Sequence, residues 1–316
     1  MPTAIQAAFL GVVQGLTEFL PVSSSAHLIL ARAFFGFDVD KFGLSFDVAC
    51  HIGTLVAVLI YFRREVTQMI ASLPRIFQPG LAEAGHHEVA TSPPEAGHDG
   101  LAAGSGTWAA YGAGGPYSLV NGYDVQGDQG VRLLWLLVIG TVPAVIVGLL
   151  FNKTIENHLR TPHLAALALA LGAVGLLIAE RATDKTRSDG SLTMTEAFWL
   201  GCAQAVALIP GVSRSGVTMT VALLFGLRRP AAARFVFLLA IPAIFAAAAD
   251  EGVKVLKAGL GADMATLFVI GIATSAIVGY IAVKCFIRYL ANHSLDMFAW
   301  YRLALAASVV IWLWRA

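Results

Sequence analysis

Long apolar runs, separated by short polar connections, dominate the chain. Six of these runs are long enough to cross a hydrocarbon layer of about 30 Å, since a helix rises about 1.5 Å per residue. The six predicted spans are residues 46–62, 133–151, 164–179, 233–249, 265–283 and 298–313. The pattern therefore predicts an all-α protein, a polytopic membrane helix bundle.

Four further apolar runs are too short or too interrupted to span a membrane. Residues 4–20 stop at Pro21 and are followed by the short run 26–37, while residues 194–209 stop at Pro210 and are followed by the short run 217–227. Irregular backbone cannot face lipid, because its polar groups would lack hydrogen-bond partners. Each pair therefore predicts a re-entrant helix pair whose tip faces protein or a wet cavity.

The two broken pairs resemble each other. A shift of 190 residues aligns them without a gap and gives nine identities in thirty positions, including the glutamine, the Ser-x-Ser and the Phe-Gly of each pair. We interpret this as two repeats, at about 4–180 and 194–315, within a single integral membrane domain covering residues 1–316. Three spans per repeat is an odd number, so the second repeat is predicted to be inverted and the two tips to meet near the midplane.

Composition supports membrane embedding and excludes other classes. The 316 residues are 57% hydrophobic and 13% charged, against about 25% charged in soluble domains. The net charge of +1 gives no sign of a nucleic-acid partner. With the predicted topology, twelve Lys and Arg residues fall on one face and seven on the other. The richer face is expected to be cytoplasmic, which makes the first re-entrant pair enter from outside.

Residues 76–131 differ from the rest of the chain. The segment holds no Lys or Arg, six acidic residues, and many Gly, Pro and Ser residues. Such a composition is typical of a long flexible loop.

The first tip carries residues suited to phosphate chemistry. Gln14 and Glu18 are four apart and share one helix face. A serine among residues 23–25 is expected to cap the next helix, whose N-terminus suits an anion. His27 lies in the first turn of that helix, and its ring is expected to point to the same place. An ionised Glu18 costs roughly 2.5–3.5 kcal/mol at mid-membrane, so it needs a partner or a wet cavity. The alternative is that Glu18 and His27 only pair to hold the turn.

The second tip repeats the pattern with a cation. Pro210 ends one helix, and Ser213, Arg214 and Ser215 open the next. Arginine is a planar, permanently charged group that can bind phosphate oxygens through two N–H groups. The alternative is that Arg214 only neutralises Glu18. Together the two tips could bind a phosphate and also transfer one.

Both tip sequences resemble a known family. Gln14-Gly-Leu-Thr-Glu-Phe-Leu-Pro-Val-Ser-Ser-Ser-Ala-His27 is similar to the first signature of the bacterial undecaprenyl-diphosphate phosphatases, the bacitracin-resistance family. Pro210-Gly-Val-Ser-Arg-Ser-Gly-Val-Thr218 is similar to the second. The resemblance covers essentially the whole chain except 76–131. Gln14 stands where some family members have Glu, so it cannot supply a second carboxylate for a metal.

The resemblance implies an enzyme that converts undecaprenyl diphosphate to undecaprenyl phosphate and inorganic phosphate in the bacterial plasma membrane. The active site would face the outer side, and the product would return to cell-wall precursor synthesis. Removal of the substrate would also reduce the target of bacitracin. The catalytic residues implied are Glu18, Ser24, His27 and Arg214. Those implied or expected for substrate binding are Gln14, Ser23, Ser25, Ser213, Ser215, Thr218 and Arg302. Glu18 is also expected to hold a divalent cation, Mg²⁺ or Ca²⁺.

The mechanism and the class of function keep alternatives. The favoured mechanism uses Ser24 as nucleophile, Glu18 as base or metal ligand and His27 as proton donor. A direct His27 nucleophile, or water activated by Glu18, fits the same spacing. Inverted repeats with broken helices are also typical of secondary transporters, so a transporter or lipid flippase is the alternative function. The sequence leaves open whether the chain forms a homo-oligomer.

Overall fold

A computed structural model describes residues 3–74, 127–159, 161–259 and 261–315. The regular structure named in these ranges is helical. The α-helices are α1 (Thr3–Thr17), α2 (Ser24–Phe35), α3 (Leu44–Tyr61), α4 (Arg63–Ser72), α5 (Gly127–Thr154), α6 (Pro162–Ala182), α7 (Met194–Val206), α8 (Arg214–Leu224), α9 (Arg229–Ala258), α10 (Ala262–Leu290) and α11 (Asp296–Arg315). A π-helical turn (Ile155–Leu159) follows α5, and a 3₁₀ turn (Asp189–Ser191) precedes α7.

All six predicted spans are confirmed as helices long and apolar enough to cross a membrane. They are Leu44–Tyr61, Gln129–Phe151, Pro162–Ala182, Arg229–Val255, Ala262–Leu290 and Asp296–Arg315. The four remaining apolar runs form the shorter helices α1, α2, α7 and α8, broken where the prolines predicted.

Two boundaries differ from the predictions. Helix α4, after the first span, was not predicted, because its sequence is mostly polar. The predicted loop 76–131 is wrong at its end, since α5 already begins at Gly127. Once the apolar run has nucleated a helix, extension by polar residues adds one hydrogen bond per residue at little further cost. Residues 76–126 lie outside the described residues.

The chain divides into two compact units. One unit is Met1–Arg63 with Trp135–Ala316, and the other is Arg64–Leu134, which holds most of α4 and the first residues of α5. Both broken helix pairs and five of the six predicted spans lie wholly in the first unit, which also holds most of the sixth.

Close helix contacts organise one side of the first unit, where α1 and α3 pack against α10. A Cβ at Gly15 would lie 2.9 Å from the Gly279 nitrogen and from the Ser275 carbonyl oxygen, so only glycine allows this approach. Small residues at such crossings are the usual means of packing helices in lipid, where burial itself gives no advantage. The contact fixes α1, and with it the first tip.

On the other side of the first unit, α6 packs against α11 and α8. The buried carboxylate of Glu180 ties the end of α6 to the starts of α9 and α11, since it accepts bonds from Arg229 at 2.6–3.0 Å and from the Leu295 N–H at 2.8 Å. The segment before α7 is held by Arg187, which bonds Glu196 at 2.7 and 3.0 Å. That bond lowers the pKa of the Glu196 carboxyl below its ordinary value. The start of α7 is therefore anchored to the segment that precedes it.

Candidate active site

Each broken helix pair turns at a serine with a positive φ angle. Ser23 has a φ of 73°, and its Oγ accepts a hydrogen bond from the Ala26 N–H at 3.4 Å. Ser213 has a φ of 72°, and its Oγ accepts a bond from the Gly216 N–H at 3.1 Å. The prediction of a serine cap at each tip is confirmed, and the local geometry recurs at the spacing of 190 residues. The inverted orientation of the second repeat stays a prediction.

The backbone at these two serines is strained. A positive φ brings the Cβ of an L-residue against its own backbone, and such a conformation costs about 1–3 kcal/mol. The cap bond made by each Oγ offsets part of that cost, which a glycine could not do. Strained residues of this kind cluster at functional sites, where the surrounding structure holds them in place.

The two tips contact each other, as predicted. Ser215 Oγ donates to the Leu20 carbonyl at 2.9 Å, and the Gly211 N–H donates to Ser25 Oγ at 3.3 Å. Arg214 Nη2 lies 3.1 Å from Glu18 Oε1. Residues far apart in sequence thus satisfy each other's polar groups away from lipid.

The carboxylate of Glu18 is the hub of the site, and it is buried. Its Oε2 accepts hydrogen bonds from Ser24 Oγ at 2.7 Å and from Gln14 Nε2 at 2.8 Å, and His51 Nε2 lies 3.3 Å away. Its Oε1 faces Arg214. The carboxylate is therefore surrounded by donors from four helices or tips, as its burial requires.

A cavity of about 220 Å³ opens beside this hub. It is lined by residues of both tips, of α3 and of the α5 region: Glu18, Ser23, Ser24, Ser25, Leu28, Leu44, Asp47, Val48, His51, Gly148, Ile155, Ala207, Leu208, Pro210, Ser213 and Arg214. The Ser24 hydroxyl next to a carboxylate acceptor has the arrangement of a base-activated nucleophile. Arg214 lines the same cavity, where its guanidinium can bind the negatively charged oxygens of a phosphoryl group.

His27 does not line this cavity, contrary to the prediction that its ring points to the same place. Its Nδ1 lies 2.7 Å from the Ser23 carbonyl, and its Nε2 lies 2.7 Å from the Tyr301 hydroxyl. The bond to a carbonyl four residues earlier turns the ring back along α2 and towards α11, where it stacks against Tyr301. The catalytic role of His27 stays a prediction.

Arg302 also lies elsewhere than expected of a substrate ligand. It is fully buried and lines no part of the cavity. Its guanidinium donates five hydrogen bonds of 3.0–3.4 Å to backbone carbonyls, namely those of Pro21, Ala168, Leu169, Gly211 and Val212. The side chain therefore fastens both tips to α6 instead of reaching the cavity.

The other predicted binding residues divide into two groups. Ser23, Ser25 and Ser213 line the cavity. Ser215 and Thr218 do not, because their hydroxyls serve the fold: Ser215 bonds the first tip, and Thr218 donates to the Arg214 carbonyl at 2.5 Å. Gln14 reaches the site only through its bond to Glu18.

Sequence reasoning missed His51 and its neighbours. His51 lines the cavity from α3, one turn after Asp47, which is buried and paired with Arg32 at 2.5 and 3.0 Å. A histidine and an aspartate inside an apolar spanning run are costly, and such residues mark functional sites. That signal was present in the sequence, but nothing in it linked α3 to the two tips.

The donor set does not form a cation site by itself. Within the described ranges, no group of three or more His, Cys, Asp or Glu side chains could hold a metal. Both Glu18 oxygens already face protein donors, and Asp47 is paired with Arg32. Magnesium takes one or two carboxylates plus substrate phosphates, and here the single available carboxylate faces an arginine. The expected Mg²⁺ or Ca²⁺ stays a prediction.

The fold and the site define a polytopic helical membrane protein with a pocket, lined by a carboxylate, an arginine and serines, between two broken helix pairs. The chain belongs to the bacitracin resistance protein BacA family, whose model matches residues 7–93 and 107–308.

Curated relatives with the name undecaprenyl-diphosphatase match nearly the whole chain. That of Rubrobacter xylanophilus is 42% identical over 306 residues, which is 96% of each chain. That of Moorella thermoacetica is 38% identical over 312 residues, or 99% of this chain and 98% of its own. That of Trichlorobacter lovleyi is 36% identical, over 97% of this chain and 96% of its own.

Proposed function

We propose that the cavity at Glu18 is the active site where the chain hydrolyses undecaprenyl diphosphate to undecaprenyl phosphate and inorganic phosphate. The family and the names of its members support this activity. The observation that carries the assignment of the site is the 2.7 Å hydrogen bond from the Ser24 hydroxyl to the Glu18 carboxylate, opposite Arg214.

In the first half-reaction, Ser24 Oγ attacks the terminal phosphorus and its proton passes to Glu18. The bond from that phosphorus to the bridging oxygen breaks, and undecaprenyl phosphate leaves with the electron pair. A phosphoserine remains. In the second half-reaction, water attacks the phosphorus of the phosphoserine, and the bond from that phosphorus to Ser24 Oγ breaks. The released phosphate keeps both hydrogens of the water, and the proton held by Glu18 returns to Ser24 Oγ. The overall balance is one diphosphate and one water giving two phosphates.

Arg214 and the two helix N-termini stabilise the phosphoryl group during transfer. Arg214 is part of α8 and presents its guanidinium to the cavity. Helices α2 and α8 are capped by Ser23 and Ser213, which both line the cavity, and a helix N-terminus carries a partial positive charge. Preorganised donors of this kind are usually the largest contribution to catalysis of phosphoryl transfer.

The two alternative nucleophiles, His27 and water, fit the contacts in the structure less well than Ser24 does. His27 is engaged at both ring nitrogens, by Ser23 and by Tyr301. Water activated by Glu18 would have to displace Ser24, which already holds the Oε2 position. The transporter alternative is not favoured, since the relatives bear the name of a diphosphatase.

Phosphate release by the purified protein in detergent tests the activity. Wild type should release inorganic phosphate from undecaprenyl diphosphate, and detergent leaves no compartments for transport. Acid quenching during turnover, followed by peptide mass analysis, should find phosphate on Ser24 in wild type and none in Ser24→Ala. No release by wild type would refute the function, whereas release without Ser24 phosphorylation would refute only the nucleophile. Parallel assays with a chelator test the cation prediction separately.

The proposed orientation puts the active site on the outer side of the plasma membrane. It is supported by the twelve basic residues on the opposite face against seven on this one. In a variant without native cysteines, Arg288→Cys should resist an impermeant thiol reagent in intact cells, while Arg315→Cys should react. The reverse labelling would put the site on the cytoplasmic side.

A further inference from the structure

His51 connects the active-site carboxylate to the backbone of α3. Its Nε2 lies 3.3 Å from Glu18 Oε2, and its Nδ1 lies 2.7 Å from the Asp47 carbonyl oxygen. The side chain is 21% exposed and lines the cavity. The ring therefore spans from a fixed point on a membrane helix to the group that accepts the Ser24 proton.

The two contacts define what each ring nitrogen does. A carbonyl oxygen can only accept, so Nδ1 carries a hydrogen and donates it to Asp47. A carboxylate oxygen also only accepts, so the contact of Nε2 with Glu18 is a hydrogen bond in the imidazolium form. The charged groups around the ring are Glu18 at the end of α1, Arg214 on α8, and Asp47 on α3 with its partner Arg32. Glu18 thus lies between two positively charged groups, the His51 imidazolium and the Arg214 guanidinium.

The proton transfer from Ser24 depends on which way the Glu18 carboxylate faces. Oε1 is held by Arg214 from α8. Oε2 accepts a hydrogen bond from Gln14 on α1 and contacts His51 on α3. Gln14 moves with α1, so His51 is the contact that fixes Oε2 relative to a separate spanning helix. Misplacement of a reacting group by about 1 Å can cost on the order of 10²-fold in rate.

The base of this support is itself anchored. Asp47 is buried, and its carboxylate accepts hydrogen bonds from both terminal nitrogens of Arg32. Arg32 also donates to the Phe42 carbonyl at 2.9 Å. Arg32 belongs to α2, the helix that carries Ser24. The helix that carries the nucleophile and the helix that carries His51 are therefore also joined by the Arg32–Asp47 pair.

We propose that His51 is a positioning residue, which holds the Glu18 carboxylate in line with the Ser24 hydroxyl from an anchor on α3. The inference rests on the proposed function, because its effect is read in diphosphate hydrolysis. It assigns a role to a residue that neither tip contains.

Two amide substitutions separate the contacts that His51 makes. The amide nitrogen of glutamine can take the place of Nε2, and that of asparagine the place of Nδ1. His51→Gln should therefore keep the bond to Glu18 and retain kcat within about 5-fold, whereas His51→Asn should keep only the bond to Asp47. We expect His51→Asn to lower kcat by about 10–100-fold, with KM within about 3-fold, because substrate binding does not require Glu18 to be aligned.

The same two substitutions at His293, His293→Gln and His293→Asn, are the matched controls. The Nδ1 of His293 also bonds a carbonyl four residues earlier, that of Tyr289 at 3.0 Å, but His293 is exposed and does not line the cavity. Both control variants should keep wild-type kcat. The melting temperatures of all four variants are measured in detergent, so that a loss of folding is distinguished from a loss of alignment.

A double variant tests whether His51 acts through Glu18. Gln14→Met removes the other donor to Oε2, so its effect on kcat should be non-additive with that of His51→Asn. Wild-type kcat in His51→Asn, equal losses in the Asn and Gln variants, or additive effects with Gln14→Met would each overturn the inference while wild type still hydrolyses the diphosphate. A wild-type protein without hydrolysis would instead refute the proposed function, and the inference with it.

Discussion

Replacing Arg302 should weaken the alignment of the two tips without removing a substrate contact. Its five hydrogen bonds reach the first tip at Pro21, the second tip at Gly211 and Val212, and α6 at Ala168 and Leu169. Gly172 and Gly216 leave room for the guanidinium, since a Cβ at either position would clash with it.

The expected magnitude follows from that geometry. A hydrogen bond to a charged group contributes about 1.5–3 kcal/mol, but three of the acceptors share Nη2 and two bonds are as long as 3.4 Å. Disrupting a buried charged network costs about 3–5 kcal/mol, and we expect Arg302→Met to lose a free energy of unfolding in this range. Arg302→Lys should lose less, because an ammonium can still donate to some of the carbonyls.

Thermal unfolding in detergent and steady-state phosphate release measure the two effects. Arg302→Met should lower the melting temperature by about 5 °C or more and reduce kcat, while KM changes little because the guanidinium is outside the cavity. A variant with wild-type melting temperature and a strongly raised KM would refute this reasoning, and would restore Arg302 to the substrate-binding role that the sequence predicted.

Three other predictions concern the tips and the connecting segment. Glu18→Gln should retain less than about a tenth of the wild-type rate while staying folded, since acid–base groups contribute roughly 10²–10⁴-fold; a higher rate would exclude the base role. Arg214→Lys should also fail in phosphate release, because lysine lacks the planar pair of donors; near-normal kinetics would make Arg214 a counter-charge only. Deleting residues 80–128 should leave most of the activity, and a large loss with normal insertion would give that segment a functional role.

The architecture of the membrane region could be predicted from the sequence because the underlying signals are local. Length and hydropathy define a span within one segment, and all six spans were found this way. The breaks at Pro21 and Pro210 follow from the missing N–H of proline. The contact between Glu18 and Arg214 could be predicted as well, because an isolated charge in hydrocarbon needs a partner and each tip held one.

Side-chain directions could not be predicted in the same way. His27 was expected in the cavity because it lies in the first turn of the helix that the serines open, yet a bond to the Ser23 carbonyl turns it towards Tyr301. His51 occupies the position expected for His27, and it comes from a helix that sequence spacing does not connect to either tip. Which histidine meets the carboxylate depends on how α3 packs, a property of the assembled bundle.

The two tips share a backbone but differ in their chemistry, and the difference explains why a catalytic site needs both. Gln204 and Leu208 stand in the second repeat where Gln14 and Glu18 stand in the first. Gln14 donates to Glu18, whereas both amide atoms of the buried Gln204 lack a hydrogen-bond partner among the described residues, since the corresponding acceptor is a leucine. Two carboxylates meeting at the tips would repel each other and the substrate phosphates. With a carboxylate on one tip and Arg214 on the other, the same fold can accept a proton from the nucleophile and hold a phosphoryl group at a single point.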